Sequence, residues 1–507
     1  MSRRMLAAVA GLACLAGCIP SLNGNDPREP NLKTPESIAG APADPATASA
    51  AQQRWNEFFV SPELKGLIEI ALKNNRELNI QMQEIIIAQN EVSARKGEYL
   101  PKVSAGAGAG IEKVGRDTSQ GRSDDALGVP EHLGDFKFGL RGTWELDVWK
   151  KLRNAAKAAG VRYLATVEAR NFMVTQIVAE IARSYYELIA LDNEMEILKR
   201  NIAVQTDALE VVKLEKQAAR VTELAVQRFE AEVLKNRSKL FDVEQERVRT
   251  ENRINFLVGR FPQTVERNPT EFNAPLPKDL GSGLPSQLLE NRPDVRQAEL
   301  ELEAAKLDVK VAKAAFYPSL SLDAEVGYRS FNAAHLVTTP ESLIYNVAGN
   351  LSAPLLNRAA ITADYRTANA KQLQAVYNYE RTILQAFTDV ANQAALISNL
   401  GKSYELQHQQ VDTLARSVEI SSLLFQQARA DYMEVLLTRR DSLEAQLELV
   451  ETRQRQLGAV VGIYQALGGG WRSGANAKTA PAGEPPTSGA APATGGIPAG
   501  GGGGGGK

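Results

Sequence analysis

Apolar side chains recur every three or four residues through the longest uninterrupted part of this sequence. Between Val174 and Ile202 the steps are close to a heptad repeat, a pattern typical of helices packed on helices. Residues 161 to 258 contain no glycine or proline. A single helix of that length would be about 150 Å long, so two antiparallel helices are predicted instead. We place this helical hairpin at residues 154–258, and a second one at 358–467.

Each helical hairpin is preceded by short segments in which polar and apolar residues alternate. We predict β-hairpins at residues 102–146 and 319–353, with strands about ten residues long. Such strands suit a membrane β-barrel, in which one face meets lipid and the other meets water. Four strands cannot close a barrel in lipid, whereas three copies of the chain would supply twelve. The alternative is a small soluble sheet packed on the helices.

The two hairpin units are copies of one another. Asn74 and Asn291, like Pro101 and Pro318, are 217 residues apart, and similar motifs lie at each position. We therefore divide the body of the chain into a first structural repeat at 61–270 and a second at 271–471.

The N-terminus carries a targeting signal. Residues 1–17 have a basic start and a short apolar core, and Leu15-Ala16-Gly17-Cys18 resembles a bacterial lipobox. Acylation of Cys18 would leave residues 18–60 as a tether, and Ile19 at the next position favours delivery to the outer membrane. The alternative is a plain secretory signal with an incidental cysteine. Residues 472–507 are rich in glycine, proline and alanine and are predicted to be disordered.

Charge and composition exclude several classes of function. The formal net charge is −2, which gives no reason to expect a nucleic-acid partner. Cys14 and Cys18 are the only cysteines, and His132, His335 and His408 are the only histidines. We therefore expect no metal site, no catalytic triad, no enzymatic activity and no cofactor other than the covalent lipid on Cys18.

Taken together, these motifs resemble those of a known family, the outer-membrane efflux factors of the TolC kind. The resemblance is to the lipidated branch that serves resistance-nodulation-division pumps. Its order and duplication make it specific, and besides the lipobox and the two tip turns it is carried by Asn75–Leu78, Arg292–Val295, Tyr99–Pro101, Phe316–Pro318, Gly142–Trp149 and Leu351–Leu356.

The resemblance implies a mainly α-helical fold with a membrane β-barrel: a homotrimer whose twelve-stranded barrel is continued by an α-helical barrel. It also implies three kinds of partner, namely outer-membrane lipid, a periplasmic adaptor protein and an inner-membrane pump. The protein would conduct small molecules or ions passively to the exterior. An exit duct for a secreted polypeptide and a periplasmic coiled-coil scaffold remain alternatives. Asp323 and Glu325 would give a mild cation preference if they face the bore.

The turns of the helical hairpins are the predicted gate and adaptor-docking tips. Family tips usually read Ala-Gly-Leu, but this chain has Ala219-Arg220-Val221 and Ala428-Arg429-Ala430. The resemblance identifies Glu434 as the candidate for a ring of carboxylates around the closed pore. The complete set of candidate tip residues is Arg220, Glu223, Arg429, Asp431 and Glu434.

Overall fold

The computed structural model describes residues 19–22, 26–31, 33, 52–276, 290–356, 358–427 and 429–472. The signal peptide, the candidate acylation site Cys18 and the tail beyond residue 472 lie outside the described residues. So do Ala428 of the second tip and most of the tether predicted at 18–60. The described residues up to Trp471 belong to one compact unit.

The first repeat contains helices, two strands and then two long helices. Its elements are α1 (Trp55–Phe58), α2 (Pro62–Asn74), α3 (Arg76–Glu98), β1 (Lys102–Glu112), α4 (Ser119–Ala126), β2 (Leu133–Leu146), α5 (Lys151–Gln217) and α6 (Glu223–Val258). A 3₁₀ segment, Pro269–Asn273, follows.

The second repeat has the same order of elements. It contains α7 (Pro293–Ala314), β3 (Ser319–Ser330), a 3₁₀ turn (Ala333–His335), β4 (Leu343–Ser352), α8 (Ala359–Gln426) and α9 (Tyr432–Ala466). Both helical hairpins have one long and one short arm, because α5 and α8 have 67 and 68 residues whereas α6 and α9 have 36 and 35.

Within each repeat, a hydrogen bond at the equivalent position joins the start of one helix to the end of another. The side-chain amide of Asn75, just before α3, donates to the carbonyl of Leu257 at 2.8 Å. At the equivalent place before α7, the guanidinium of Arg292 donates to the carbonyl of Ala466 at 3.1 Å. Different side chains therefore make the same connection between the start of one helix and the end of another.

A glycine ends the last helix of each repeat for a steric reason. Gly259 and Gly468 have φ angles of 77° and 87°, in the left-handed region that glycine tolerates best. A Cβ atom at Gly259 would lie 2.5 Å from the carbonyl oxygen of Asn74, and one at Gly468 would lie 2.6 Å from that of Asn291. The backbone can approach this closely only because both residues lack a side chain.

The largest apolar core lies where α2, α5, α6 and α9 meet. Ile68, Tyr185, Ile254 and Tyr464, one from each helix, are at most 1% exposed. Burial raises the pKa of Tyr185 to about 12, so its hydroxyl stays protonated and hydrogen-bonded at physiological pH. Within the described residues, no helix is both long and apolar enough to cross a membrane.

The connection between β1 and β2 contains a short helix, α4, which the apolar periodicity of the sequence did not indicate. The hydroxyl of Thr118 caps α4 by accepting from the amide of Gly121 at 3.1 Å. An ion pair of 2.7 Å between Arg116 and Asp125 fastens the preceding loop to the helix. Polar contacts stabilise this helix, so the apolar pattern does not reveal it.

Candidate functional site

The four strands form one antiparallel sheet in the order β1-β2-β3-β4, so the central pair, β2 and β3, joins the two repeats. In this register Leu140 lies opposite both Ala105 and Val326, and Val326 lies opposite Tyr345. Directly opposite residues share a face of a sheet. The register therefore assigns every strand residue to one of two faces.

The first face, which we call the apolar face, carries no charged residue on any of the four strands. Its large side chains are mostly solvent-exposed in the single chain, as Leu140 (50%), Val326 (50%) and Tyr345 (80%) show. Besides Ser330, the other members are small, aliphatic or aromatic: Val103, Ala105, Ala107, Ala109, Ile111, Gly134, Phe136, Phe138, Gly142, Trp144, Leu146, Leu320, Leu322, Ala324, Tyr328, Leu343, Val347, Gly349 and Leu351.

The second face, which we call the polar face, carries all of the charged strand residues. They are four cations and five carboxylates: Lys102, Lys137, Arg141, Arg329, Glu112, Asp135, Glu145, Asp323 and Glu325. Separation this complete is expected where one face meets hydrocarbon and the other meets water.

Aromatic side chains lie near both ends of the apolar face. Phe138 stacks on Tyr328 with ring centroids 5.4 Å apart, towards the end of the sheet where β1 connects to β2 and β3 connects to β4. At the other end, the indole of Trp144 donates to the carbonyl of Tyr99 at 3.0 Å. From Phe136 to Trp144 the strand spans about 26 Å at ~3.3 Å per residue, which is close to the apolar band of ~25 Å between the aromatic girdles of membrane barrels.

The first tip comprises residues 217–223, and its two candidate residues are exposed. Glu223 forms an ion pair with Lys216 and accepts from the amide of Gln227 at 3.0 Å. The hydrogen bond from Gln227 and, to a lesser extent, the ion pair with Lys216 lower the pKa of Glu223 and keep its carboxylate ionised. Arg220 has no ion pair to another described residue. Ala219 has a φ of 54°, so an alanine adopts the left-handed conformation in which glycine would be less strained.

The second tip comprises residues 427–431 and leads directly into α9. Asp431 is the N-cap position of α9, but its side chain accepts no capping hydrogen bond. Glu434 lies in the first turn, where an acidic side chain interacts favourably with the helix dipole. Arg429, Asp431 and Glu434 are all exposed, and none forms an ion pair within the described part of the chain.

The fold brings both tips to the same end of the helices. Val226 and Phe229 of α6 pack in one apolar cluster with Leu209 of α5 and Leu436 of α9. This packing places the five candidate residues near one another without joining them in a network inside one chain. Any such network would have to form between chains or with a partner.

A polar layer that sequence reasoning missed lies behind the tips. Asn236 of α6 donates to the side-chain oxygen of Gln205 in α5 at 2.8 Å, and these residues are 2% and 1% exposed. Arg439 of α9 donates to the carbonyl of Val204 at 3.3 Å, and burial lowers its pKa. The signal was present, since Gln205 continues the heptad pattern of α5 but is polar.

The N-terminal tether lies against α7 and α8. Leu22 is buried with Phe316 and Tyr365, close to the start of β3. Further along, Arg28 forms an ion pair of 2.6 Å with Glu380, whose carboxylate also accepts from the backbone amide of Asn31 at 2.8 Å. The tether thus starts at the strand end of the molecule and runs along α8 towards the tips.

The same fold is found in a solved outer-membrane channel. The open state of the Neisseria gonorrhoeae MtrE outer membrane channel matches it with a TM-score of 0.77 at 23% identity, over 88% of this chain and 97% of that one. The chain belongs to the outer membrane efflux protein family, whose model matches residues 67–260 and 284–469. The two matched ranges correspond to the two repeats.

Curated relatives extend over nearly the whole chain. The pyoverdine export outer membrane protein OpmQ of Pseudomonas aeruginosa is 29% identical over 475 residues, which is 93% of this chain and 98% of OpmQ. The probable outer membrane lipoprotein SilC of Salmonella typhimurium is 26% identical over 477 residues, 93% of this chain and 100% of SilC. This protein is thus an outer-membrane efflux protein.

Proposed function

We propose that three copies of this chain close a twelve-stranded barrel in the outer membrane and form its continuation as a helical tube in the periplasm. The tube would conduct small molecules or ions that an inner-membrane pump and a periplasmic adaptor deliver to it. The protein would supply the wall, the gate and the docking surface, without chemistry of its own.

The observation that carries this proposal is the charge-free apolar face of the sheet. In water, such a face would expose large side chains from all four strands, which is unfavourable, whereas in lipid it is the stable arrangement. The soluble-scaffold alternative leaves this face without a suitable environment.

The edges of the sheet supply the argument for several copies. β1 and β4 each pair with only one described strand, so each leaves a row of backbone amides and carbonyls without a strand partner. Every such group costs several kcal/mol in hydrocarbon if it is not paired, and barrels avoid this by closing. Pairing β4 of one chain with β1 of the next removes both edges, and three chains give twelve strands.

The tether supports an acyl anchor on Cys18. Ile19 and Leu22 pack beside Phe316, three residues before β3 begins, at the level where the strands end. This is the height at which the proposed barrel leaves the membrane. A lipid on Cys18, which precedes Ile19 in the sequence, would be able to reach the bilayer, and the relative SilC is a probable outer membrane lipoprotein.

The gate is proposed at the tips, with Glu434 as its ring of three carboxylates. Its side chain is exposed in the single chain and forms no ion pair with a described residue, so it is available at the centre of a closed trimer. Arg220, Glu223, Arg429 and Asp431 would complete the contacts between chains and with the adaptor.

Two measurements test the proposal. Native mass spectrometry of the detergent-solubilised protein should show a trimer, and a stable monomer would contradict the barrel. In planar bilayers, Glu434→Ala should raise the closed-state conductance, while Glu419→Ala, an exposed carboxylate of α8 away from the turn, should not. An unchanged current in Glu434→Ala would remove that residue from the gate.

A further inference from the structure

The charges of the polar face follow a pattern that the strand register reveals. On β2 the residues flanking the middle of the sheet are both basic, Lys137 and Arg141. On β3 the acidic residues Asp323 and Glu325 are two positions apart and are therefore neighbours on the same face. Arg141 and Glu325 are direct register partners, whereas Lys137 lies opposite Arg329, so the basic stretch of β2 borders the acidic stretch of β3 at Arg141.

Several other charges of this face have a neighbour of opposite sign. Arg329 forms an ion pair of 2.7 Å with Asp135, and Glu145 pairs with Lys151, just beyond the strand, at 3.2 Å. Lys102 lies level with Asp323, with Thr143 between them. The four strands therefore carry four cations and five carboxylates, and one of the carboxylates, Glu145, is balanced by Lys151 at the start of α5.

We propose that the bore of the barrel places basic and acidic stretches side by side so that their charges nearly cancel, and that the barrel therefore does not sort its cargo by the sign of its charge. This inference rests on the proposed function, because it takes the polar face as the wall of a bore. The cargo class at this level is then small solutes of either charge. Asp323 and Glu325 alone would have favoured cations, but β2 brings Arg141 opposite Glu325 and diagonal to Asp323.

The physical basis is the short range of alternating charges. Neighbouring strands lie about 4.8 Å apart, so the basic stretch of β2 and the acidic stretch of β3 oppose each other over only a few ångströms. Their fields cancel beyond distances similar to that spacing, and salt with a Debye length of ~8 to 10 Å removes what remains. A solute near the axis would meet almost no net potential, whereas one at the wall would meet a sign that depends on the strand.

Single cysteines can report these local signs, because Cys14 and Cys18 are the only cysteines of the chain. Gly106 on β1 lies opposite Gly139, diagonal to both basic residues of β2, and a Cβ atom there would meet nothing within 4 Å. Ala348 on β4 lies opposite Asp323. We therefore suggest Gly106→Cys and Ala348→Cys as reporters, each in the full-length protein in liposomes.

The measurement compares a cationic and an anionic methanethiosulfonate reagent at low salt. The rate ratio for each reporter is normalised to that of a small neutral thiol in solution. We expect Gly106→Cys to react faster with the anionic reagent and Ala348→Cys with the cationic one, by factors of similar size. If both reporters preferred the same sign, the bore would carry a net charge and the proposal would be overturned.

Two charge neutralisations assign the biases to residues. Arg141→Gln should reduce the anionic preference of the Gly106→Cys reporter by about fivefold, for a charge some 7 to 8 Å away in water. Glu325→Gln should reduce the cationic preference of the Ala348→Cys reporter by a similar factor. Rate ratios that stayed unchanged in both variants would contradict the proposed stripes.

Neighbouring positions on the apolar face separate this inference from the proposed function. Ala105→Cys and Val347→Cys should be protected by lipid and should react far more slowly than the reporters beside them. If these controls reacted as fast as the reporters, or if neither reporter reacted, the barrel assignment itself would fail. If only the signs of the biases were wrong, the barrel would stand and the charge balance would fall.

Discussion

A charge on the apolar face should prevent assembly, whereas the same charge on the polar face should not. Leu140 lies near the middle of β2, level with Val326 and Tyr345 on the apolar face. An arginine at the middle of the lipid-facing band of a membrane barrel costs about 2 to 4 kcal/mol. In a trimer the cost of Leu140→Arg would be about 6 to 12 kcal/mol if the three sites are independent.

The matched control is Ile344→Arg. Ile344 is also aliphatic and lies at nearly the same depth, one residue before Tyr345, but on the polar face opposite Gly327. Its arginine would enter water on the face that carries the charged residues, diagonal to both Glu325 and Arg329. We expect this variant to assemble normally, with little change in stability.

The assay is the trimer fraction in outer-membrane extracts, measured by native mass spectrometry, together with the urea midpoint of the protein in liposomes. Because each 1.4 kcal/mol is a factor of ten, the expected cost corresponds to about four or more decades in the assembly equilibrium. Leu140→Arg should therefore leave almost no trimer. Equal effects of the two substitutions, or a normal trimer in Leu140→Arg, would refute the assignment of the faces.

Three further predictions concern the helices and can be checked as shifts of the thermal midpoint in detergent. Gln205→Leu should destabilise the tip region by about 1 to 3 kcal/mol, because it leaves the side chain of Asn236 buried without its hydrogen-bond partner. Adding Asn236→Leu should restore the lost stability. A double variant that is less stable than Gln205→Leu alone would contradict this. Gly259→Ala should destabilise the protein by more than ~1 kcal/mol, because the φ of Gly259 is left-handed and a carbonyl oxygen occupies the space that the Cβ would need. Ala219→Gly should stabilise it by up to about 1 kcal/mol, because the left-handed φ of Ala219 suits glycine. Midpoint shifts of the same sign in the two variants would contradict both expectations. Burial raises the pKa of Glu194 in the folded protein, so its ionised form is penalised at neutral pH. The protein should therefore gain stability as the pH falls towards the pKa that Glu194 has in the unfolded chain. Glu194→Gln should raise the thermal midpoint at pH 7.5 and reduce this gain, and an unchanged pH profile in the variant would contradict the prediction.

Local sequence patterns predicted many elements because their causes are local. The turns at 217–224 and 427–435 interrupt the heptad pattern, and α5 and α8 end at Gln217 and Gln426. The strands were visible because polar and apolar residues alternate with a period of two. The short helix α4 was missed because polar capping by Thr118, and not an apolar stripe, stabilises it.

The tip residues illustrate a different limit. Their position at the helix turns followed from the sequence, and the structure shows that Arg220, Glu223, Arg429, Asp431 and Glu434 are exposed at one end of the molecule. The contacts that would make them a gate lie between chains, so neither the sequence nor one chain contains them. Their role stays a prediction for the conductance measurement.

By itself, the sequence determined the duplication, the class of helical hairpins and the existence of two-faced strands, because repeats and periodicities are written along the chain. Which face carries Asp323 and Glu325, and that Arg141 lies beside them, was decided only by tertiary structure. The reason is that side chains alternate with a period of two, so a slip of one residue in pairing would exchange the faces. Only the hydrogen-bonded register of β2 with β3, residues that are almost two hundred positions apart, selects one of these arrangements.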